Sequence, residues 1–281
     1  YTVESFLDAG ERDFGGYDAV LLWHAYPRIG LDDRNQFDFY RDMPGGQAGV
    51  RDVVRQLQAR GVRTFINYNP WDRATRREER ADDEALAAMV AALDVDGIFL
   101  DTMFASSPQL RTAVDARRGG VAFVPEAHPK IPDLADLVGS WAQFPPNPFS
   151  PVMLHHKWLE PRHMEYQVRR WNTLVPGTDH AEEIENAFFN GSGIMIWENI
   201  FGTYNPWRAR DRATWRRGVG ILRAFAAHFR SRAWDPFYLT ESAHLHAHRW
   251  PDGETVLFTL SNQGEPLAAA PLVAVPWSAG L

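Results

Sequence analysis

The chain has 281 residues, 45% of them hydrophobic, a formal net charge of -7 and no cysteine. Without cysteine, disulfides, thiolate metal sites and cysteine nucleophiles are excluded together. The acidic balance argues against a general nucleic-acid binder, because the arginines clustered at Arg73 to Arg80 and Arg208 to Arg217 read as solvated helix faces. No apolar run is long enough to cross a bilayer, so no membrane partner is expected. The length suits one large α/β domain with a small appendage. The chain begins at Tyr1 without an initiator Met or a signal-like stretch, so a processed chain or a piece of a longer one is expected. Localisation and oligomeric state are left open, a secreted or periplasmic destination being compatible with the sequence. Eleven tryptophans, many at strand ends or in loops, suit stacking on the C–H faces of sugar rings.

In chain order, Glu4 to Phe14 reads as an amphipathic helix, and Asp18 to Tyr26 as a buried strand with a polar, aromatic finish before Pro27. Arg28 to Met43 is expected to be a long loop. Gly49 to Arg60 follows as a helix closed by Gly61, then Val62 to Tyr68 as a strand broken by Asn69-Pro70-Trp71-Asp72. Helix-forming Glu84 to Leu93 leads into Val95-Asp96-Gly97-Ile98-Phe99-Leu100-Asp101, an apolar run closed by a carboxylate. Ser107 to Arg118 is helical, and Val121 to Pro125 is a strand ending at Glu126. Ile131 to Trp141 reads as a helix, Val152 to Trp158 as a strand, Glu160 to Trp171 and His180 to Asn190 as helices. Ser192 to Asn199 is expected as a strand closed by Glu198, and Ala213 to Phe229 as a long helix. Beyond Asp235, Ala243 to Trp250 and Glu254 to Ser261 alternate around Pro251-Asp252-Gly253, a hairpin signal. The alternation of His244, His246 and His248 is expected to give a solvated face, since no carboxylate is spaced to complete a metal site.

Six strand candidates alternating with helices call for a parallel sheet with helices outside. Polar side chains end nearly every strand: His24 and Tyr26, Asn67 and Asn69, Asp101, Glu126, His155 and His156, Glu198 and Asn199. A closed (β/α)8 TIM-like barrel gathers such ends at one mouth, so the expectation is a barrel over residues 1–234 and a small C-terminal β-sandwich-like appendage over residues 235–281. Six strands fall short of eight. One more is sought near Phe237-Tyr238-Leu239, and another upstream of Tyr1.

Acids at strand ends, with no metal motif and with tryptophans and asparagines beside them, point to glycoside hydrolysis of an oligosaccharide, polysaccharide or glycoconjugate, without cofactor or metal. Asp101 and Glu126, on adjacent strand ends, suit a retaining mechanism. Asp101 is expected to be the ionised nucleophile, and Glu126 the acid/base with a raised pKa. Asn67, Asn69, His24, Tyr26, His155, Lys157 and Asn199 are candidate partners for sugar hydroxyls, with Trp71 and Trp197 as stacking platforms.

Leu57 to Tyr68 followed by Val95 to Asp101 resembles the third and fourth barrel strands of retaining α-glycosidases, among them the α-galactosidase, α-glucosidase, α-amylase and endo-α-N-acetylgalactosaminidase groups. The resemblance implies that Asp101, ending the fourth strand, is the nucleophile; in the amylase-like branches the acid/base ends the fifth strand, where Glu126 stands. Phe99 occupies the place of an arginine that amylases carry, and Glu198 follows Ile196-Trp197 in place of an Asn-His pair. If the chain follows the α-galactosidase branch, His155 and His156 stand where the acid/base is expected, and Glu198 rivals Glu126. Two other readings stay open: a non-catalytic carbohydrate-binding barrel, and a metal-dependent hydrolase using His24, His155 or His156 with Asp101.

Overall fold

The computed structural model describes residues 2–24, 33–72, 76–142, 155–168, 179–200, 203–204, 206–267, 269 and 271–275. It divides into two compact units, Tyr1–Arg12 with Gly16–Ser140, and Asp13–Gly15 with Trp141–Leu281.

The first unit runs α1 (Val3–Phe14), β1 (Ala19–Leu22), α2 (Gln36–Arg41), α3 (Gly46–Ala59), β2 (Arg63–Tyr68), α4 (Asp82–Leu93), β3 (Gly97–Leu100), α5 (Pro108–Asp115) and β4 (Ala122–Pro125). Its four strands pair in parallel in the order β1-β2-β3-β4. This sequential order has no reversal of the kind that defines a doubly wound sheet. Register does the sorting: Leu21, Phe65, Gly97 and Ala122 form one cross-strand row, and Leu22, Ile66, Ile98 and Phe123 the next. Side chains on a strand alternate between faces. The second row therefore packs with Val54, Leu86, Val90 and Val114 of the helices, while Phe65 and Asn67 of β2, Gly97 and Phe99 of β3, and Ala122 and Val124 of β4 take the opposite face. Asn69, Asp101 and Glu126 continue that alternation on the same face just past the strand ends.

The helices form for legible reasons. α4 has three acids in its first turn, which suits the helix dipole, and a run of alanines with Leu86, Met89, Val90 and Leu93 buried. Ser107 caps α5, accepting from the Leu110 N–H, with Pro108 at its first position.

The second unit contains α6 (His155–Leu159), β6 (Met164–Tyr166), α7 (Ala181–Phe189), β7 (Asn199–Ile200), β8 (Thr203–Tyr204), α8 (Ala209–Ala224), β9 (Leu245–Asp252) and β10 (Thr255–Asn262); β5 (Gly139–Trp141) lies at the boundary. β9 and β10 form the expected antiparallel hairpin, with Gly253 in the left-handed region at its turn. Phe229, Trp234 and Trp250 form its aromatic core.

Several expectations are corrected. The loop from Arg28 to Met43 contains α2, whose Asn35 side chain accepts from the Phe37 and Asp38 N–H groups in a capping box completed by Asp38. Residues 131–141 are a 3-10 turn (Ile131–Asp136) followed by β5, not one helix. The segment read as a strand at Val152 to Trp158 is helical from His155, where no β-branched residue favours a strand; residues 152–154 lie outside the described residues. Glu160 to Trp171 is not a helix over its described part but holds β6, with His163, Glu165 and Gln167 buried on one face; that polar face hid the period of two. Ser192 to Ile196 is tied by a single parallel bridge, Gln167 with Ile194, in place of a full strand. Phe237 to Leu239 forms no strand; isolated bridges at Asp235 and Thr240 flank it. The histidine face is solvated only in part: His244, which precedes the strand, is exposed and His246 half-buried, whereas His248 is buried beneath Phe189 and Trp234.

Gly97 admits the ring of Phe65 across the β2–β3 pair, and a Cβ there would overlap that ring. Gly97→Ala is expected to cost about 1–3 kcal/mol in urea unfolding through overpacking. Placing it in a Phe65→Leu background should recover part of that loss, measured by a double-mutant cycle.

Candidate active site

β2, β3 and β4 deliver their last residues to one place. The Asp101 N–H donates to the Tyr68 carbonyl at 2.9 Å, and the Glu126 N–H to the Leu100 carbonyl at 3.0 Å, so each ladder continues one residue past its strand. Thr102 then turns through a left-handed conformation, φ 57°, which is costly for a β-branched residue. That turn aims its N–H at Glu126 Oε2, 2.8 Å away. The Ala127 N–H donates to the Met103 carbonyl, which ties the two exit loops together.

Asp101 is 3% exposed and Glu126 half-buried. Burial, the charge of Glu126 and a hydrogen bond to Glu126 push the Asp101 carboxyl up to about 8, with the Thr102 amide working the other way. Two carboxyl groups in contact cannot both ionise cheaply, so the neighbouring Glu126 disfavours the charged form of Asp101. The expectation that Asp101 is readily ionised is thus corrected in the free protein, because Asp101 is buried against a second carboxyl group. The remaining support for the charged form comes from Asn69, whose Nδ2 donates to Asp101 Oδ2 at 3.1 Å while its Oδ1 accepts from the Trp71 N–H at 3.0 Å.

The β1 exit supplies His24, fully buried, with Nε2 at 3.3 Å from Asn67 Nδ2. An amide donor there assigns Nε2 as acceptor and the ring proton to Nδ1. Burial lowers the His24 pKa to about 4, opposed by a backbone hydrogen bond, the charge of Asp72 and the Gln36 side chain; the imidazole is neutral at physiological pH. Tyr40, from α2, stitches β1 to β2: its hydroxyl donates to the Leu22 carbonyl at 2.8 Å and accepts from the Asn67 N–H at 3.0 Å. Trp23 packs edge-on against Phe99 at 5.5 Å.

The first unit thus brings together His24, Asn67, Asn69, Asp101 and Glu126, with Trp71 partly exposed beside Asn69. Tyr26 lies outside the described residues, as do the side chains of His155 and Asn199. In the second unit Glu198 is exposed and accepts from the Trp207 N–H at 3.1 Å, and Trp197 packs edge-on against Trp141. Lys157 is buried there, its Nζ donating to the Pro161 and Phe229 carbonyls at 2.7 and 3.1 Å. Burial lowers its pKa to about 8 against the charges of Glu165 and Glu160. His156 Nδ1 lies 3.2 Å from Glu165 Oε1. Sequence reasoning missed Gln36, Tyr40 and Thr102. The first two sit in α2, which the Asn35 and Asp38 capping pattern signals; Thr102 acts through its backbone, which no side-chain motif reveals.

The raised Asp101 pKa fixes a sign. A carboxyl that binds its proton more tightly folded than unfolded contributes stability that is complete below its ordinary value of 3.8 and is lost as pH rises through about 8. Wild type should lose this contribution between about pH 4 and 8, and Asp101→Asn, which carries no charge, should be more stable than wild type at pH 8; urea unfolding across that range checks both.

No family model and no curated protein matches the chain. Among solved structures it is similar to a cyclomaltodextrinase, with TM-score 0.60 and 12% identity over 93% of this chain and 62% of that one. A debranching enzyme from Nostoc punctiforme gives TM-score 0.60 at 10% identity over 96% and 80%. The α-N-acetylgalactosaminidase NagBb from Bifidobacterium bifidum gives 0.57 at 13% over 93% and 52%. The chain therefore spans less than two thirds of the first and about half of the third. At these identities the likeness is one of fold, and in fold the chain resembles the TIM-barrel α-glycoside hydrolases.

Proposed function

We propose that the chain is a glycosidase that cleaves an O-glycosidic bond in an oligosaccharide, polysaccharide or glycoconjugate with retention, using Asp101 as nucleophile and Glu126 as acid/base. The observation that carries this reading is the Asp101–Glu126 carboxyl pair on adjacent strand exits, in hydrogen-bond contact beside a fixed amide donor. We further propose a closed (β/α)8 barrel over residues 1–234, with residues 235–281 as a separate β appendage.

Retaining enzymes work with carboxyl groups about 5–5.5 Å apart, and here they touch. Entry of a sugar between them replaces each carboxyl's partner: the glycosidic oxygen accepts from Glu126, and Asp101 is left ionised against Asn69. The proton that Asp101 gives up then resides on Glu126. Attack of Asp101 on the anomeric carbon breaks the C–O bond as that proton passes to the leaving oxygen; water next displaces Asp101, and its proton returns to Glu126. His24, Asn67 and Asn69 are placed to bind hydroxyls, and Trp71 to stack; Tyr26, His155, Lys157, Trp197 and Asn199 remain candidates for sugar contacts, and Glu198 for the acid/base.

The direct contact between the carboxyls also favours a second reading, a carbohydrate-binding barrel in which they only accept hydroxyl hydrogen bonds. Aryl α- and β-glycosides separate the two. The hydrolase reading expects release of the aryl group by wild type, loss in Asp101→Gly with recovery by azide, and a kcat lower by about 10²–10⁴-fold in Glu126→Gln on poor leaving groups. Sugar binding without product in wild type supports the second reading; full activity in both variants removes the assignment.

A further inference from the structure

Gln36, the first residue of α2, is 2% exposed and grips the main chain of Asn69 from both sides. Its Nε2 donates to the Asn69 carbonyl at 2.8 Å, and its Oε1 accepts from the Asn69 N–H at 2.7 Å. Its own backbone N–H donates to Asp72 Oδ2 at 2.8 Å, so one residue holds both ends of the Asn69-Pro70-Trp71-Asp72 turn. Asn69 has just left β2. The last ladder bond on that side is Asp101 N–H to the Tyr68 carbonyl, and the Asn69 peptide groups are buried. Gln36 replaces the lost strand partner.

The consequence passes to the acid pair. With its main chain clasped and its Oδ1 held by the Trp71 N–H, Asn69 presents Nδ2, and no other atom, to Asp101. We propose that Gln36 is a positioning residue that holds the Asn69 amide against the Asp101 carboxyl and so sets how readily that carboxyl ionises. The catalytic consequence rests on the glycosidase reading; the electrostatic one does not. A donor fixed in place favours the anion, and a donor free to swing supports it less. Of the titratable groups here, Glu126 faces Asp101 from the β4 exit. His24 from the β1 exit and Asp72 from the turn face Gln36, and Arg77 lies against Asp72.

The test uses Gln36→Met, which keeps the volume and removes both side-chain hydrogen bonds, and Gln36→Asn, which keeps the amide but withdraws it. Two readouts apply: the carboxyl ¹³C titration of Asp101 in chain labelled with ¹³C-aspartate, assigned by Asp101→Asn, and the pH profile of kcat and KM on whichever aryl glycoside wild type cleaves. The expected result is an Asp101 midpoint moved upward and an acidic limb of kcat moved with it. At neutral pH kcat should fall about tenfold while KM stays within about twofold, a loss of geometry and not of sugar binding. Should Gln36→Met not fold, Gln36→Asn carries the same readouts. A folded variant with an unchanged Asp101 midpoint overturns the inference, whatever its activity. A moved midpoint in a protein that cleaves no glycoside keeps the inference and removes the glycosidase reading.

Discussion

The first unit depends on the register of its four parallel strands. Because side chains alternate, the pairing that sends Ile66, Ile98 and Phe123 into the helix-covered core must send residues 67, 99 and 124 to the other face. A slip of one residue in β3 would exchange Asp101 for Leu100 at the strand exit and turn Ile98 out of the core. Stability and the site are thus fixed by one choice. Gly97 guards it, since only a residue without a Cβ lets Phe65 lie across β3 in this register.

Polar groups brought together this way must be satisfied away from water, and the unit does so with short side chains from outside the sheet. Tyr40 joins the end of β1 to β2, and Gln36 takes up the peptide of Asn69. Both belong to α2, which is itself held from beneath: Asp38 receives Arg41 and Arg76, and Glu78 receives Arg41 and Asn35. Arg41 and Arg76 are largely open to solvent, so these ion pairs add little energy each. Their effect is positional, in keeping a six-residue helix, too short to be stable alone, at the strand exits.

The sequence was readable where one pattern controlled one element. α3 shows a helical face and α4 is a run of strong helix formers, β2 and β3 are apolar runs with a polar finish, and the locations of Asn67, Asn69, Asp101 and Glu126 follow from strand ends alone. α2 was not readable as a helix from periodicity, since Gln36 through Tyr40 are all buried and leave no polar face. β6 failed for the converse reason, its buried side chains being His163, Glu165 and Gln167. The raised pKa of Asp101 was beyond reach too, because it depends on how deeply that acid lies once it meets Glu126.

That last point explains why Asp101 gives up its proton reluctantly. An ionised Asp101 at 3% exposure would be costly to fold, and a second ionised carboxyl touching it more so. Retaining that proton lowers the cost, with the Thr102 and Asn69 donors around the pair. The strained turn at Thr102 serves the same end, since its N–H reaches Glu126 only from a left-handed backbone. A site assembled this way stores no net separation of charge until something polar enters between the two acids, and the fully apolar packing of Val54, Leu86, Leu93 and Ile98 behind the sheet supplies the stability that the site withholds.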